Sequence, residues 1–154
     1  MRDQISTLRG FCGVAGGLSG KSASVAIIFV MSVAQASVDD AQSFALQAAD
    51  PYVKEGFQVR EDYWGGDLGA GEKKAVRQQL FKGNEYWFWM GTDEKGAKIS
   101  VHIYDSEGNL AESQSFDSSK KPHFAGARVV PKKTGSYYLI VEVEKSPQER
   151  TTWA

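Results

Sequence analysis

At 154 residues, with 42% apolar and 24% charged side chains, the chain has the size and composition of one soluble globular domain. A formal charge of −1 argues against general electrostatic attraction to nucleic acid or anionic membranes, and a single cysteine, Cys12, excludes an intrachain disulfide. The core must therefore come from apolar burial alone, which is feasible at this length.

The N-terminus has the order of an export signal over residues 1–36. Lys21 supplies positive charge, Val25 to Met31 opens an apolar stretch that runs on through Val33, and Ala34-Gln35-Ala36 is a small-x-small cleavage site. The apolar run is shorter than the ~20 residues of a membrane span. No membrane span is expected after cleavage, and the product is expected in the periplasm or outside the cell. Residues 1–20, with Arg2, Asp3 and Arg9, make a long leader, as a start codon placed too far upstream would. Cleavage after Ala36 leaves 15 basic and 18 acidic groups, a formal charge of −3.

Residues 37–56 form an expected N-terminal helical segment, and 57–154 an expected β-sandwich domain. Ala41, Phe44, Ala45 and Ala48 make an apolar stripe at helical spacing, with Ser37, Asp39 or Asp40 as caps. Asp50-Pro51 is expected to end this helix near Ala49, and Pro51 to open a short turn closed by Gly56. Phe57 to Trp64 alternates and predicts an extended strand. Gly65 to Gly71 predicts a loop, with no lysine-serine or lysine-threonine pair to make it a phosphate cradle.

Strands are predicted at 75–81, 85–91, 98–104, 110–116, 123–130 and 136–145, separated by glycine- or proline-containing turns and one polar loop, 117–122. This pattern predicts an all-β, antiparallel, jelly-roll-like sandwich of about seven strands. Ile99, Val101 and Ile103 share one face of their strand, as do Tyr137, Leu139, Val141 and Val143. One segment departs from polar-apolar alternation. In Glu85 to Met90, Tyr86, Phe88 and Met90 lie on one side and Trp87 and Trp89 on the other, so both faces are apolar and the second needs a cover or a ligand.

Three segments carry a family resemblance: Leu80-Phe81-Lys82-Gly83-Asn84-Glu85-Tyr86-Trp87-Phe88, Ile99 to Gly108 with its Tyr-Asp-x-x-Gly turn, and Pro131 to Val141 with Thr-Gly-x-Tyr. Together they make residues 79–143 resemble the bacterial pre-peptidase C-terminal domain, a jelly-roll-like sandwich appended to secreted proteases and other exported proteins. The resemblance implies a non-catalytic accessory or binding module. It also implies a calcium option, since some members bind calcium near one edge of the sandwich. No protease domain precedes the matching segment here.

Candidate ligand-binding residues are Trp64, Trp87, Trp89 and Tyr138, through which a polysaccharide or protein surface could stack. The alternative is that the N-terminal helix covers Trp87 and Trp89 through Phe44 and its alanines. Turn carboxylates Asp62, Asp67, Asp105 and Glu107 are calcium candidates, and no other cofactor is expected. His102 and His123 have no partner at zinc-ligand spacing, and no serine elbow or cysteine nucleophile is spelled. No catalytic role is assigned. The leading expectation is a binding module, with a structural subunit of the bacterial envelope second and a carboxylate-dependent hydrolase last.

Overall fold

The computed structural model describes residues 33–60, 62–119 and 121–154. Its elements are helix α1 (Val33–Lys54) and strands β1 (Gly66–Leu68), β2 (Lys73–Leu80), β3 (Tyr86–Gly91), β4 (Lys98–Tyr104), β5 (Gln114–Phe116), β6 (Phe124–Val129), β7 (Gly135–Lys145) and β8 (Thr151–Trp153). All pairings are antiparallel, in sheets ordered β2-β7-β4 and β3-β6-β5 with a β1-β8 ribbon beside them. No described helix is long and apolar enough to cross a membrane.

Period-two alternation places the core between the two larger sheets. Leu80, Ile99, Val101, Ile103, Val141 and Val143 come from β2-β7-β4, and Met90, Ala125, Ala127 and Val129 from β3-β6-β5. Each fully buried valine, leucine, isoleucine or methionine among them contributes about 1.5–3 kcal/mol. The small alanines of β6 make room for the larger side chains opposite them. Before β7 the chain turns tightly, and the buried Tyr137 holds the turn by donating its hydroxyl to the carbonyl of Lys133 at 3.0 Å.

The helix is longer than its sequence stripe predicted. It starts at Val33, so Ser37, Asp39 and Asp40 are interior positions and not caps. Residues 33–36 of the expected leader form its beginning, while the rest of that leader lies outside the described residues. The helix also runs through Pro51 to Lys54. Proline there removes only the N–H that would meet the carbonyl of Gln47, an exposed residue whose carbonyl water can satisfy. The end comes at Gly56, whose φ of 105° is open to glycine. There Gly56 N–H bonds to Val53 O and Phe57 N–H to Tyr52 O, each at 3.0 Å, and the Tyr52 and Phe57 rings meet edge-on. This is a Schellman closure with its apolar contact.

Three strand predictions also shift. Residues 57–60 and 62–64 form no strand, and only Phe57 among them bonds through its backbone N–H to the helix end. Gly66–Leu68, expected to be loop, pairs with Thr151–Trp153. The 110–116 segment splits: Ala111 N–H bonds to Ile103 O and Glu112 Oε2 accepts the Ile103 N–H on the free edge of β4, whereas Gln114–Phe116 pairs with β6. The chain changes sheets between them, because a side-chain carboxylate replaces the next backbone partner.

Candidate functional site

The doubly apolar strand is the origin of the site. Tyr86, Phe88 and Met90 turn toward the sandwich core, which leaves Trp87 and Trp89 on the outer face of β3-β6-β5. Their rings stack at 5.0 Å with 7° between planes. Phe116 approaches them to 6.3 and 5.2 Å from β5. Gly126 lies opposite Trp89 on β6, and a Cβ there would come within 2.6 Å of the indole, so only glycine lets the ring lie flat on the sheet.

Helix α1 covers this face unevenly. Its stripe of Ala41, Phe44, Ala45, Ala48, Ala49 and Tyr52 keeps i, i+3, i+4 spacing throughout. At one end the helix touches the sheet backbone: a Cβ on Gly91 would sit 2.0 Å from Ala41 O and 2.7 Å from Ala45 N. At the other end Tyr52 rests on the two indoles, 4.7 Å from Trp87 and 5.1 Å from Trp89. Phe44, the residue expected to cover the tryptophans, instead stacks on His123 at 4.3 Å. It lies two turns before Tyr52 on the same stripe, and so reaches the Gly91 end of the sheet.

Close contact at Gly91 and a tyrosine spacer at the tryptophans leave a cleft of about 600 Å³ between α1, residues 56–60 and 62–64, and the free edges of β2 and β3. Its mouth includes Leu46, Val53, Val59 and Tyr63, each 43–51% exposed. Its depth includes Leu80, Val101, Leu139 and Trp153, each at most 3% exposed. The cleft thus passes from solvent into the space between the sheets. All four tryptophans of the chain, Trp64, Trp87, Trp89 and Trp153, line it.

Charges at the cleft are neutralised locally. Arg60 forms a two-pronged pair with Asp62 at 2.8 and 3.0 Å, which raises the guanidinium pKa and lowers that of the carboxyl. Glu85 meets Arg128 at 2.5 Å, and that contact holds its carboxyl below the ordinary range. One polar group is left over: Trp153 is 3% exposed, and its indole Nε1 is buried with no acceptor among the described residues. An unmet buried donor costs about 1–3 kcal/mol.

Of the stacking candidates, the structure brings Trp64, Trp87 and Trp89 to one cleft. Tyr138 lies elsewhere, 37% exposed on the outer face of β7 between Arg77 and Tyr104. The turn carboxylates stay apart. Asp62 is paired with Arg60, Asp67 accepts the Thr152 hydroxyl at 2.6 Å, and Glu107 faces Lys133 at 3.5 Å. Asp105 caps its own turn by accepting the N–H groups of Glu107 and Asn109 at 2.9 and 2.8 Å, with Asn109 foremost in lowering its pKa. Among the described residues no three His, Cys, Asp or Glu side chains converge as metal ligands.

Sequence reasoning missed Tyr52 and Trp153. Ala49 and Tyr52 continue the helical stripe, but Pro51 masked that signal. For Trp153 the only sign was the strand-forming run Thr151-Thr152-Trp153 at the end of the chain. No family model matches the chain, and neither a curated protein nor a solved structure matches it.

Proposed function

We propose that the protein is an exported, non-catalytic binding or accessory module whose ligand enters the cleft under α1. The cleft carries this reading. Native interiors hold few voids larger than a water molecule. The cleft is open to solvent at one end, and its volume of about 600 Å³ lies within the range of small-molecule pockets. A space of that size, walled by apolar and aromatic side chains and open at one end, suits a ligand better than either vacuum or water. The export pattern of residues 1–36 and the resemblance to pre-peptidase C-terminal domains support the accessory role.

The same geometry disfavours flat stacking of a polysaccharide on Trp87 and Trp89, since Tyr52 and Phe116 already occupy the faces and edges of those rings. A protein-interaction subunit of the envelope is the second reading, favoured by the way Tyr52 caps the indoles. Two measurements test the first. Mass and N-terminal sequencing of the protein from its own cells should show a chain beginning at Ser37. Tyr52→Ala and Trp89→Ala should weaken binding of an apolar fluorophore, N-phenyl-1-naphthylamine, by tenfold or more. Unchanged affinity in both would remove the cleft as the site and leave the interaction reading.

A further inference from the structure

We infer that the cleft is a docking slot for a β-strand, and that its occupant is an extended, largely apolar peptide segment of another protein, paired antiparallel with the free edge of β3. This deepens the binding-module reading and rests on it.

Backbone direction along β3 carries the inference. In an antiparallel ladder, successive residues of a strand send their N–H and C=O groups to opposite edges. Thr92 N–H bonds to His123 O at 2.8 Å, on the side of β6. Gly91 faces the other way: its N–H bonds to Ala154 O at 2.7 Å, and Ala154 N–H bonds to Gly91 O at 3.2 Å. The register with β6 is unbroken from Tyr86 to Gly91. Phe88 and Met90 therefore serve β6 as Thr92 does, and Trp87 and Trp89 point to the edge that Gly91 uses. No described residue bonds to the backbone of Trp87 or Trp89 on that edge, and both residues line the cleft. Buried backbone groups are almost always paired, so these two pairs of groups meet either water or a ligand.

The same edge already takes a strand at its other end. There β8 lies between β1 and β3: Thr151–Trp153 pairs with Gly66–Leu68, while Trp153 and Ala154 meet Thr92 and Gly91 in antiparallel sense. Neighbouring strands lie about 4.7–4.9 Å apart, so the two flanks of β8 are roughly 10 Å apart. The cleft takes over beside Ala154, with Tyr63 and Trp64, which lead into β1, on one wall and the β3 edge on the other. It thus continues the track of β8 along β3.

A strand on that track follows the pleat of β3. Alternate side chains would lie with Tyr86 and Phe88, toward Leu80, Val101 and Leu139. The others would lie with Trp87 and Trp89, toward Ala49, Tyr52 and Val53 of α1. Both walls are apolar, so the peptide is apolar on both faces. A hydrocarbon ligand would strip water from the Trp87 and Trp89 backbone groups and leave them unpaired, a loss that a peptide avoids. Addition of a strand to an open sheet edge is a general mode of peptide binding. Pairing from Met90 back to Tyr86 takes about five residues, roughly 17 Å of strand.

The test uses the full chain, loaded with N-phenyl-1-naphthylamine and titrated with a lysine-flanked Val-Leu-Val-Leu-Val peptide. A second peptide has the same side chains and esters in place of its central amides, which deletes the N–H donors. Amide hydrogen exchange is followed in parallel. The parent peptide should displace the fluorophore, and the ester version should need concentrations about tenfold or more higher. Without peptide, the Trp87 and Trp89 amides should exchange faster than those of Phe88 and Met90. Saturation with the parent peptide should slow Trp87 and Trp89 by about tenfold or more.

Equal displacement by the ester version, unprotected Trp87 and Trp89 amides in the peptide complex, or a fluorophore that binds and is not displaced would overturn strand docking while leaving the cleft as a binding site. Protection of those amides that rises with protein concentration in the absence of peptide would make a second copy of this chain the occupant, and would overturn a foreign one. Failure of both the fluorophore and the peptide to bind, or binding of both that persists undiminished when Gln78→Trp fills the cleft wall in a folded protein, would overturn strand docking and the cleft reading together.

Discussion

The outer faces of the two larger sheets are built on opposite principles. On β2-β7-β4 the outward positions include Arg77, Tyr138, Ile140, His102, Glu142 and Glu144, with Lys73 reaching Glu142 at 2.9 Å and Lys98 reaching Glu144 at 2.6 Å. That face is mostly polar and carries no helix. On β3-β6-β5 the outward positions include Trp87, Trp89, Phe116, Gly126 and Phe124, with Arg128 and Gln114 at one end, and α1 packs on β3 and β6. The contrast shows that a strand with two apolar faces recruits a cover, and that the fit of the cover decides whether a site is left. Glycine at Gly91 lets the helix down at one end, and Tyr52 holds it off at the other.

Substitutions that act on one face only can break this comparison. The largest effect is expected at Gly91→Ala, because the new Cβ meets helix backbone and not a flexible side chain. A loss of about 3 kcal/mol or more in denaturant unfolding is expected, and a loss under ~1 kcal/mol would mean that α1 is not seated on β3. Gly126→Ala should cost less, about 2 kcal/mol, since an indole can shift where a backbone cannot. Its signature is altered tryptophan emission in the folded protein. Tyr52→Ala should cost about 1–2 kcal/mol in stability, as a half-buried aromatic does, while widening the cleft. Tyr138→Ala, on the watered face, should stay within about 0.5 kcal/mol.

The smallest effect is one of pH. Lys98 is the main cause of the lowered Glu144 pKa, and the Gly69 N–H, followed by Arg150, of the lowered Glu72 pKa. A carboxyl whose pKa is lower folded than unfolded stabilises the fold above the ordinary carboxylate range and loses that contribution as pH falls through the folded value. Tm should therefore fall modestly below about pH 4, and salt should blunt the change, because the Glu72–Arg150 pair is exposed and the Glu144–Lys98 pair half-exposed. Emission from the tryptophan face should not follow the same titration until the protein unfolds.

Much of the sandwich was legible in the sequence because burial imposes period two: β4 is found at its predicted bounds, and β2, β3, β6 and β7 begin or end within two residues of theirs. The β1-β8 ribbon was not legible, since Gly66–Leu68 becomes a strand only through the distant partner Thr151–Trp153. Of the cleft, the anomaly at Trp87 and Trp89 was visible as an unmet requirement. What met it was not, for two physical reasons. A proline near a helix end costs little where the orphaned carbonyl is exposed, so Pro51 did not stop the helix before Tyr52. And Trp153 joins the cleft through strand pairing and the mutual bonds of Gly91 and Ala154, which no local pattern announces.

Energy transfer from tryptophan to bound N-phenyl-1-naphthylamine tests the cleft most directly, because all four donors line that one space. Saturable sensitised emission, with matching loss of tryptophan emission and a clear reduction in Tyr52→Ala, is the predicted result. Probe that binds without drawing energy from the indoles, or no saturable binding at all, would contradict the account.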